Sequence, residues 1–378
     1  MIVVAGHLCL DLIPAIPAGA ALDPGKLVEV GTVSFATGGA VANVGLALSR
    51  LGLEPQLVSR IGDDPFGEIL GSLLSAGSHA GRTTEGVRAL PGESTSYSIV
   101  VNRPGADRTF LHHPGCNDIF SAADLEGEDI RSADLLYFGY PPLMQRIYED
   151  GGESLAEVLA GFRRAGVTVA LDMAMPDPAG RSGRVDWRSF LRIVLPNVDL
   201  FLPSYEEISY MLEPDSPSPP PSLPHLSAVA ARLLELGPAV VGLKLGDEGL
   251  YLRTAGTSRL FDAGRLSPPA SWAHRELLSP NFRVVVRGTT GAGDATIAGL
   301  LTALAKGVEM PQAAAVASAV GACSVEGIDA VSGVLGWQET LARMDRGWER
   351  VAAPPLQEEG WRMERGLLLG PYDKGGSW

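Results

Sequence analysis

The run GTTGAGDATIAG, residues Gly288 to Gly299, is the most informative stretch of this 378-residue chain. Three small residues stand directly before Asp294, and the apolar pattern IAGLLTAL that follows predicts a helix. Small residues let backbone N–H groups approach an anion closely, and a helix N-terminus adds partial positive charge. The sequence therefore predicts an anion-binding loop that opens onto a helix.

Asp294 indicates which reaction this loop would support. A carboxylate is unfavourable beside a resting phosphate because like charges repel, but it suits a general base that takes a proton from a hydroxyl. The backbone amides beside it would hold the phosphoryl group as it is transferred. The stretch therefore predicts a small-molecule kinase.

Two well-known phosphate-binding motifs do not fit this stretch. A dinucleotide fingerprint needs GxGxxG, but Thr296 stands where the third glycine would be. A Walker A loop, GxxxxGK[ST], does not occur in the chain. The purely structural alternative is a glycine-rich turn in which Asp294 caps the helix.

Composition limits the class of protein. The chain is 46% hydrophobic, which is enough for one large α/β domain, and its net charge of −14 argues against nucleic acid or an anionic membrane as a partner. The three cysteines are far apart, which is typical of reduced thiols and predicts a cytoplasmic protein. The opening MIVVAGHLCLDLIPAI has no basic leader, so it is interpreted as a buried strand and not as a signal peptide, and its apolar run Ile2–Ala5 predicts a first strand of the core sheet.

Hydrophobic patterning predicts two sheets. After residue 134, short apolar runs alternate with helical patterns, which is typical of a mostly parallel sheet covered on both faces. Earlier, STSYSIVVN and RTFLHH flank a turn at residues 103–107 and predict a hairpin. A half-exposed strand is predicted at Val28–Phe35, and with the hairpin it would form a small separate sheet. The Pro/Ser-rich segment 213–224 is interpreted as a surface excursion.

Four motifs in order resemble those of the PfkB (ribokinase-like) family of carbohydrate and nucleoside kinases. GTTGAGDATIAG is similar to the family's C-terminal signature, GGAVAN at residues 38–43 to its N-terminal signature, and GDDPFG at residues 62–67 to a third element. The fourth is KLGDEG at residues 244–249. The resemblance implies a kinase domain over residues 1–335, with lid segments at about 12–37 and 94–114 and a C-terminal extension, 336–378, of unknown role. It implies a three-layer αβα core with a mostly parallel sheet and a β-sheet lid.

The resemblance also implies ATP and Mg²⁺ as cofactors, a sugar as substrate, and roles for matching residues. Those residues are Asp294 as general base with Gly291, Ala292 and Gly293 as anion hole; Asp11, Gly38, Gly39 and Asn43 for the sugar; Lys244, Gly246, Gly249 and Ser204 for the nucleotide; and Glu207 for magnesium. A carboxylate and an amide suit the sugar because they accept and donate paired bonds to neighbouring hydroxyls.

Several of these side chains also fit a purely structural role. Asp11 can cap a turn and Asn43 a helix, Lys244 can simply end a strand, and SYEE at residues 204–207 resembles a helix capping box. Ser204 stands where the family has Asn, and Gly288 stands where it has an acid that often helps to bind a monovalent cation. The loss of that carboxylate puts dependence on such a cation in doubt.

Two other functions stay open. A nucleoside kinase of the same fold would need an aromatic lid surface, which Tyr97 and Phe110 could supply. A non-catalytic sugar-binding protein would account for the changes at Ser204 and Gly288. His112 and His113 are interpreted as exposed strand residues. Because the edges of a lid sheet can pair with another lid, a homodimer is the expected assembly.

Overall fold

The computed structural model describes residues 1–17, 19–20, 23–77, 84–102, 109–214, 220–352 and 360–375. The strands are β1 (Ile2–Gly6), β2 (Cys9–Pro14), β3 (Val33–Gly38), β4 (Pro55–Gly62), β5 (Gly86–Leu90), β6 (Tyr97–Val101), β7 (Thr109–His113), β8 (Leu135–Gly139), β9 (Thr168–Leu171), β10 (Leu200–Phe201), β11 (Val240–Lys244), β12 (Leu250–Thr254), β13 (Glu276–Ser279), β14 (Arg362–Glu364) and β15 (Leu367–Leu369). The helices are α1 (Gly39–Arg50), α2 (Pro65–Gly77), α3 (Glu128–Arg131), α4 (Gln145–Tyr148), α5 (Glu153–Arg164), α6 (Trp187–Val194), α7 (Tyr205–Leu212), α8 (Leu223–Glu235), α9 (Thr257–Phe261), α10 (Ala292–Ala305), α11 (Met310–Ser324) and α12 (Trp337–Asp345).

The main sheet is mostly parallel. In the order β5-β4-β1-β8-β9-β10-β11 every neighbouring pair is parallel, and β12, β13, β15 and β14 continue the sheet with antiparallel pairs. From β1 the chain first builds outward through β4 and β5, and later in the opposite direction through β8. The strand order therefore reverses between β1 and β8, and in such sheets ligands bind at the carboxyl ends of the strands beside the reversal.

Side-chain alternation along the central strands builds the layers. Val4 and Tyr137 face a core packed with residues of α1, α10 and α11, whereas Val3 and Phe138 face a second core with residues of α5, α6 and α8. Successive residues of a strand point to opposite faces, so continuous apolar strands require helices on both sides. The predicted α/β fold with a covered, mostly parallel sheet is confirmed.

The second sheet has the order β3-β2-β6-β7. The predicted hairpin is confirmed, since Ile99 of β6 pairs antiparallel with Leu111 of β7, although its turn at residues 103–107 lies outside the described residues. The prediction of a strand at Val28–Phe35 is wrong in its bounds. The strand is β3, because its antiparallel pairing with β2 runs from Val33 to Gly38.

The apolar N-terminus forms two strands: the predicted first strand at Ile2–Ala5 is confirmed as β1, whereas the interpretation of the whole run as a buried strand is wrong. Gly6 has φ 123°, and a Cβ there would lie 2.3 Å from the carbonyl oxygen of Gly139. This glycine-only geometry lets the chain leave the main sheet after β1 and enter the small sheet at Cys9. Asp11 therefore lies on β2, in the lid.

The loop GDDPFG at residues 62–67 is a hydrogen-bonded turn. Asp64 accepts bonds from the backbone N–H of Gly67 at 2.8 Å and from the backbone N–H of Thr95 at 2.8 Å, and the Thr95 hydroxyl donates to it at 2.7 Å. These bonds lower the pKa of Asp64, although the partial burial of the carboxyl opposes them. Asp64 therefore ties the start of α2 to the segment that leads into β6.

The segment after residue 335, which the sequence predicts to be an extension, packs against the core. It contains α12, and β15 pairs antiparallel with β13 through Leu368 and Leu369. The three leucines of β15 are buried. Among the described helices, none combines the length and apolar character needed to cross a bilayer.

Candidate active site

Polar residues collect where the central parallel strands end. His7 follows β1, Tyr140 follows β8, Asp172 follows β9, and Lys244 is the last residue of β11. The N-terminus of α10, with Asp294 in its first turn, lies at the same edge. The fold thus brings together side chains that are far apart in the sequence.

The start of α10 has a geometry that requires glycine. Gly291, the residue before the helix, has φ 72°, and a Cβ there would lie 2.4 Å from the Cβ of Ala330. The first N–H groups of a helix have no partner within it, so they are free to bind an anion. The Ala292 N–H makes one long bond, 3.4 Å, to the carbonyl of Thr289. The three predicted anion-hole residues therefore lie at the positive end of a 14-residue helix.

Asp294 is buried, with only 2% of its surface exposed. Asn43, in α1, donates from Nδ2 to its Oδ2 at 2.9 Å, and the Tyr140 hydroxyl lies 2.9 and 2.8 Å from its two oxygens. Burial raises the pKa of Asp294, while the charge of Lys244 and the two hydrogen bonds oppose this effect. The result is a carboxylate of increased basicity, held in one orientation.

Lys244 pairs with an acid that the sequence analysis missed. Its Nζ lies 2.6 Å from Oδ1 of Asp172, which is fully buried. Burial, with smaller contributions from Glu207 and Asp294, raises the pKa of Asp172 to about 8 despite the lowering effect of Lys244. A Cβ on Gly293 would lie 3.2 Å from Cδ of Lys244, so that glycine makes room for the lysine beside the first turn of α10.

The capping box at SYEE is confirmed. Ser204 precedes α7, its hydroxyl accepts from the N–H of Glu207 at 3.2 Å, and the Glu207 Oε2 accepts from the N–H of Ser204 at 2.7 Å. Burial raises the pKa of Glu207, while Lys244 lowers it. Both residues also line the cleft described next, so the cap places an acidic side chain at the predicted nucleotide site.

A cleft of about 810 Å³ runs along this edge of the sheet. Such a volume is within the range of sites for small molecules and cofactors. The predicted site residues that line it are Ser204, Glu207, Lys244, Gly246, Gly249, Gly291, Ala292, Gly293 and Asp294. Every residue predicted for the nucleotide, the metal and catalysis therefore borders one cavity.

The residues predicted for the sugar lie on the lid side of Asp294. Asp11 is 6% exposed, and a Cβ on Gly38 would lie 2.5 Å from its Oδ1. Gly39 has φ 86°, and a Cβ there would lie 2.7 Å from Nδ1 of His7. These two glycines keep the backbone close to the polar groups, and Asn43 in the same helix reaches Asp294.

Sequence reasoning missed several polar residues here besides Asp172. The His7 Nε2 lies 3.4 Å from Nε2 of His112, and Nδ1 of His112 lies 3.0 Å from the Ser98 hydroxyl. Nδ1 of His7 and Oδ1 of Asn43 are buried and have no hydrogen-bond partner among the described residues. Buried polar atoms without partners are costly, and a ligand hydroxyl would satisfy them. The signal in the sequence was a polar residue directly after an apolar strand, as in VVAGH and LLYFGY.

The chain is similar to known sugar kinases in sequence and in fold. An uncharacterized sugar kinase of Archaeoglobus fulgidus is 27% identical over 292 residues, which cover 76% of this chain and 98% of that protein. Fructokinase-1 of Zea mays is 25% identical over 308 residues, 81% of this chain and 83% of that protein. A ribokinase of Arabidopsis thaliana, solved with ribose and ATP, has a TM-score of 0.68 at 21% identity, covering 90% of this chain and 97% of that one.

The family description that matches is pfkB family carbohydrate kinase, and the match extends over residues 1–334. This match includes strands β1 to β13, and it includes the residues of α10 and α11 that line the cleft. The chain therefore belongs to the pfkB family of carbohydrate kinases, which are phosphotransferases.

Proposed function

We propose that this protein transfers the γ-phosphoryl group of ATP to a primary hydroxyl of a sugar, with Asp294 as general base. The observation that supports this most strongly is the position of Asp294. It borders the 810 Å³ cleft and the N-terminal amides of α10 on one side, and it is bonded to Asn43 on the lid side. A base in this position lies between an anion site, which would hold the phosphate, and a polar pocket, which would hold the acceptor hydroxyl.

The reaction follows from these contacts. Asp294 accepts the proton of the acceptor hydroxyl as the oxygen forms a bond to the γ-phosphorus and the bond to the ADP oxygen breaks. The amides of Gly291, Ala292 and Gly293 stabilise the negative charge on the phosphoryl oxygens. Lys244, whose pKa is raised by Asp172, Glu207 and Asp294 despite its burial, keeps a positive charge beside the helix start.

Glu207 suits a hydrated Mg²⁺. Among the residues that the structure describes, no three His, Cys, Asp or Glu side chains lie close enough together to hold a metal ion. Mg²⁺ bound to a nucleotide commonly uses one or two carboxylates with waters and phosphate oxygens, and Glu207 offers one carboxylate at the cleft wall. The ion would neutralise charge on the phosphates. Gly288 provides no carboxylate to hold a monovalent cation beside the start of α10.

The lid would exclude water, which otherwise would accept the phosphoryl group. Asp11 and Ser98 are register partners on β2 and β6, so they share the lid face that carries His112. Phe35 and Leu111 lie on the other face and are 40% and 56% exposed. This apolar outer face supports the proposal of a homodimer through the lid.

The substrate class is tested by ADP release from ATP and Mg²⁺ over pentoses, hexoses, keto-deoxy acids, polyols and nucleosides. We expect turnover with at least one sugar, because Asp11 and Asn43 can bind neighbouring hydroxyls. Tyr97 packs against Phe66 with ring centroids 5.2 Å apart, on the lid face away from Asp11, so Tyr97 is not placed to stack on a nucleoside base. Phe110 shares the lid face of Asp11 and His112 and is 48% exposed, so the nucleoside alternative depends on this residue. Turnover with nucleosides only would favour the nucleoside kinase, and sugar binding without any transfer would favour the non-catalytic alternative.

Tyr140→Phe is expected to move the acid limb of kcat/KM to higher pH. Asp294 must be a carboxylate to accept a proton, and the Tyr140 hydrogen bond lowers its pKa. Without that bond the pKa of Asp294 rises further, so more enzyme is protonated and inactive at a given pH. The measurement is a pH profile of both proteins, with activity at high pH recovering to within about tenfold of wild type.

Tyr148→Phe is the control for this variant, because Tyr148 packs against Trp187 in the other core, with ring centroids 5.9 Å apart. Its pH profile should match that of the wild type. An acid limb that stays in place or moves to lower pH in Tyr140→Phe would show that Tyr140 does not act on the base.

A further inference from the structure

The segment after α12 pairs with a loop of the nucleotide cleft. Phe282 and Arg350 form an antiparallel bridge, and the N–H of Arg283 donates to the carbonyl of Glu349 at 2.8 Å. The N–H of Val351 donates to the carbonyl of Asn281, also at 2.8 Å. These backbone bonds fix the two segments side by side, although the family match ends at residue 334.

Aromatic and cationic side chains reinforce this pairing. Phe282 and Trp348 are stacked with ring centroids 4.5 Å apart, and the Arg350 guanidinium lies 4.2 Å from the Phe282 centroid. The Arg343 guanidinium lies 3.7 Å from the Trp348 centroid, and both of its terminal nitrogens bond to Glu326, at 2.5 and 2.9 Å. We call Arg343, Trp348, Phe282 and Arg350 the ring stack. Stacked aromatic rings attract each other beyond the area they bury, and a guanidinium over a ring face is attracted by the ring electrons, so both kinds of contact stabilise this pairing.

The ring stack supports an apolar wall of the cleft. Phe282, Val284, Val286 and Val351 all line the cavity that also contains Lys244. Val286 is 58% exposed, so its side chain is accessible to a molecule in the cavity. An apolar wall in the same cavity as an anion-binding helix start suits a molecule with a flat base and a phosphate chain.

We infer that residues 348–351 belong to the nucleotide site: through the ring stack they hold the wall at residues 282–286 in position for the base of ATP. Trp348 and Arg350 are positioning residues, since they act through Phe282, whereas Val351 contacts the nucleotide directly. This inference rests on the proposed function in one respect, namely that the cleft binds a nucleotide.

The test is the affinity of the full chain for Mg²⁺ with ADP, and for Mg²⁺ with a non-hydrolysable ATP analogue, measured by calorimetry. Trp348→Ala should raise Kd about tenfold, and Trp348→Phe, which retains an aromatic ring on Phe282, should restore affinity to within about threefold of wild type. In turnover, KM for ATP should rise while KM for the acceptor and kcat at saturating ATP stay within about twofold. General damage to the fold would change kcat and both KM values together, and would not raise the KM for ATP alone.

Trp337→Ala is the matched control, because Trp337 lies at the other end of α12, with Lys306 Nζ 5.5 Å from its ring, and does not line the cleft. It should leave Kd within about twofold of wild type. Val351→Asp tests the wall without disturbing the stack, and should also raise Kd about tenfold, because it places a charged carboxylate in the apolar surface that contacts the base.

Unchanged nucleotide affinity in both Trp348→Ala and Val351→Asp would overturn the inference, as would an equal loss in Trp337→Ala. If the variants change nucleotide affinity as expected but the chain phosphorylates no acceptor, the inference would be supported and the proposed function contradicted. If the wild-type chain bound no nucleotide, both would be wrong.

Discussion

Asp294→Asn is expected to lower kcat by at least ~10²-fold, because an amide cannot accept the proton of the acceptor hydroxyl. The substitution keeps the shape of the side chain, so the amides of α10 and the cleft wall stay in place. Nucleotide affinity should therefore change little, and the loss should appear in kcat at saturating ATP and sugar. Steady-state kinetics on the best acceptor from the substrate panel measure this.

The thermal stability of the Asp294→Asn variant shows whether its loss of activity is catalytic or structural. Burial raises the pKa of Asp294 in the folded chain, so the folded state binds a proton more readily than the unfolded state. Stability therefore falls as the pH rises from the unfolded pKa through the folded pKa, and at neutral pH the charged carboxylate destabilises the fold. Removing that charge should leave the melting temperature unchanged or higher. The partnerless Oδ1 of Asn43 can accept the new N–H after an amide flip.

Asp186→Asn is the matched control, since Asp186 also stands at a helix start, where it caps α6 through the N–H of Ser189. Its activity should stay within about twofold of wild type. Near-normal turnover in Asp294→Asn would refute Asp294 as the base, whatever its effect on stability.

Gly291→Ala is expected to lower kcat/KM by about 10²-fold, the usual cost of losing one donor to a developing negative charge. The new Cβ would lie 2.4 Å from that of Ala330, which is buried, so the start of α10 must shift away from the loop that contains Ala330. The displaced amides would then no longer meet the phosphoryl oxygens. The φ of 72° adds about 1–2 kcal/mol of strain for any L-residue.

Gly307→Ala isolates that strain. Gly307 follows the C-terminal end of α10 with φ 65°, and a Cβ there would have no neighbour within 4 Å. Gly307→Ala should lose about 1–2 kcal/mol of stability in denaturant unfolding and Gly291→Ala at least as much, but only Gly291→Ala should lose activity. Equal kinetics in the two variants would contradict the assignment of the anion hole.

The fold was largely predictable because its signals are local. The apolar strands and the helices that alternate with them follow from periodicity, and β6 and β7 follow from a hairpin pattern. The break between β1 and β2 was not predictable in the same way. It depends on Gly6 lying against Gly139, which is 133 residues away, and that contact exists only in the folded sheet.

The residues of the site were predictable from the sequence only where they belong to a recognisable motif. Asp294, Asn43 and the glycines stand in such motifs, and the structure brings them together. Three residues of the site belong to no motif, namely Tyr140, Asp172 and His7. Each is placed at the site by the strand that ends just before it and by a contact with a residue that is distant in the sequence. Arg350 and Val351 likewise gain their proposed role only because they pair with residues 281–282.

By itself, the sequence determined the proposed chemistry: a carboxylate after three small residues at the start of a helix predicts a base beside an anion site, since both properties depend on neighbouring residues. The tertiary structure alone decided how strong that base is and what surrounds it. Its basicity depends on burial and on Lys244, Asn43 and Tyr140, and these contacts form only when distant strand ends and helices meet at one edge of the sheet.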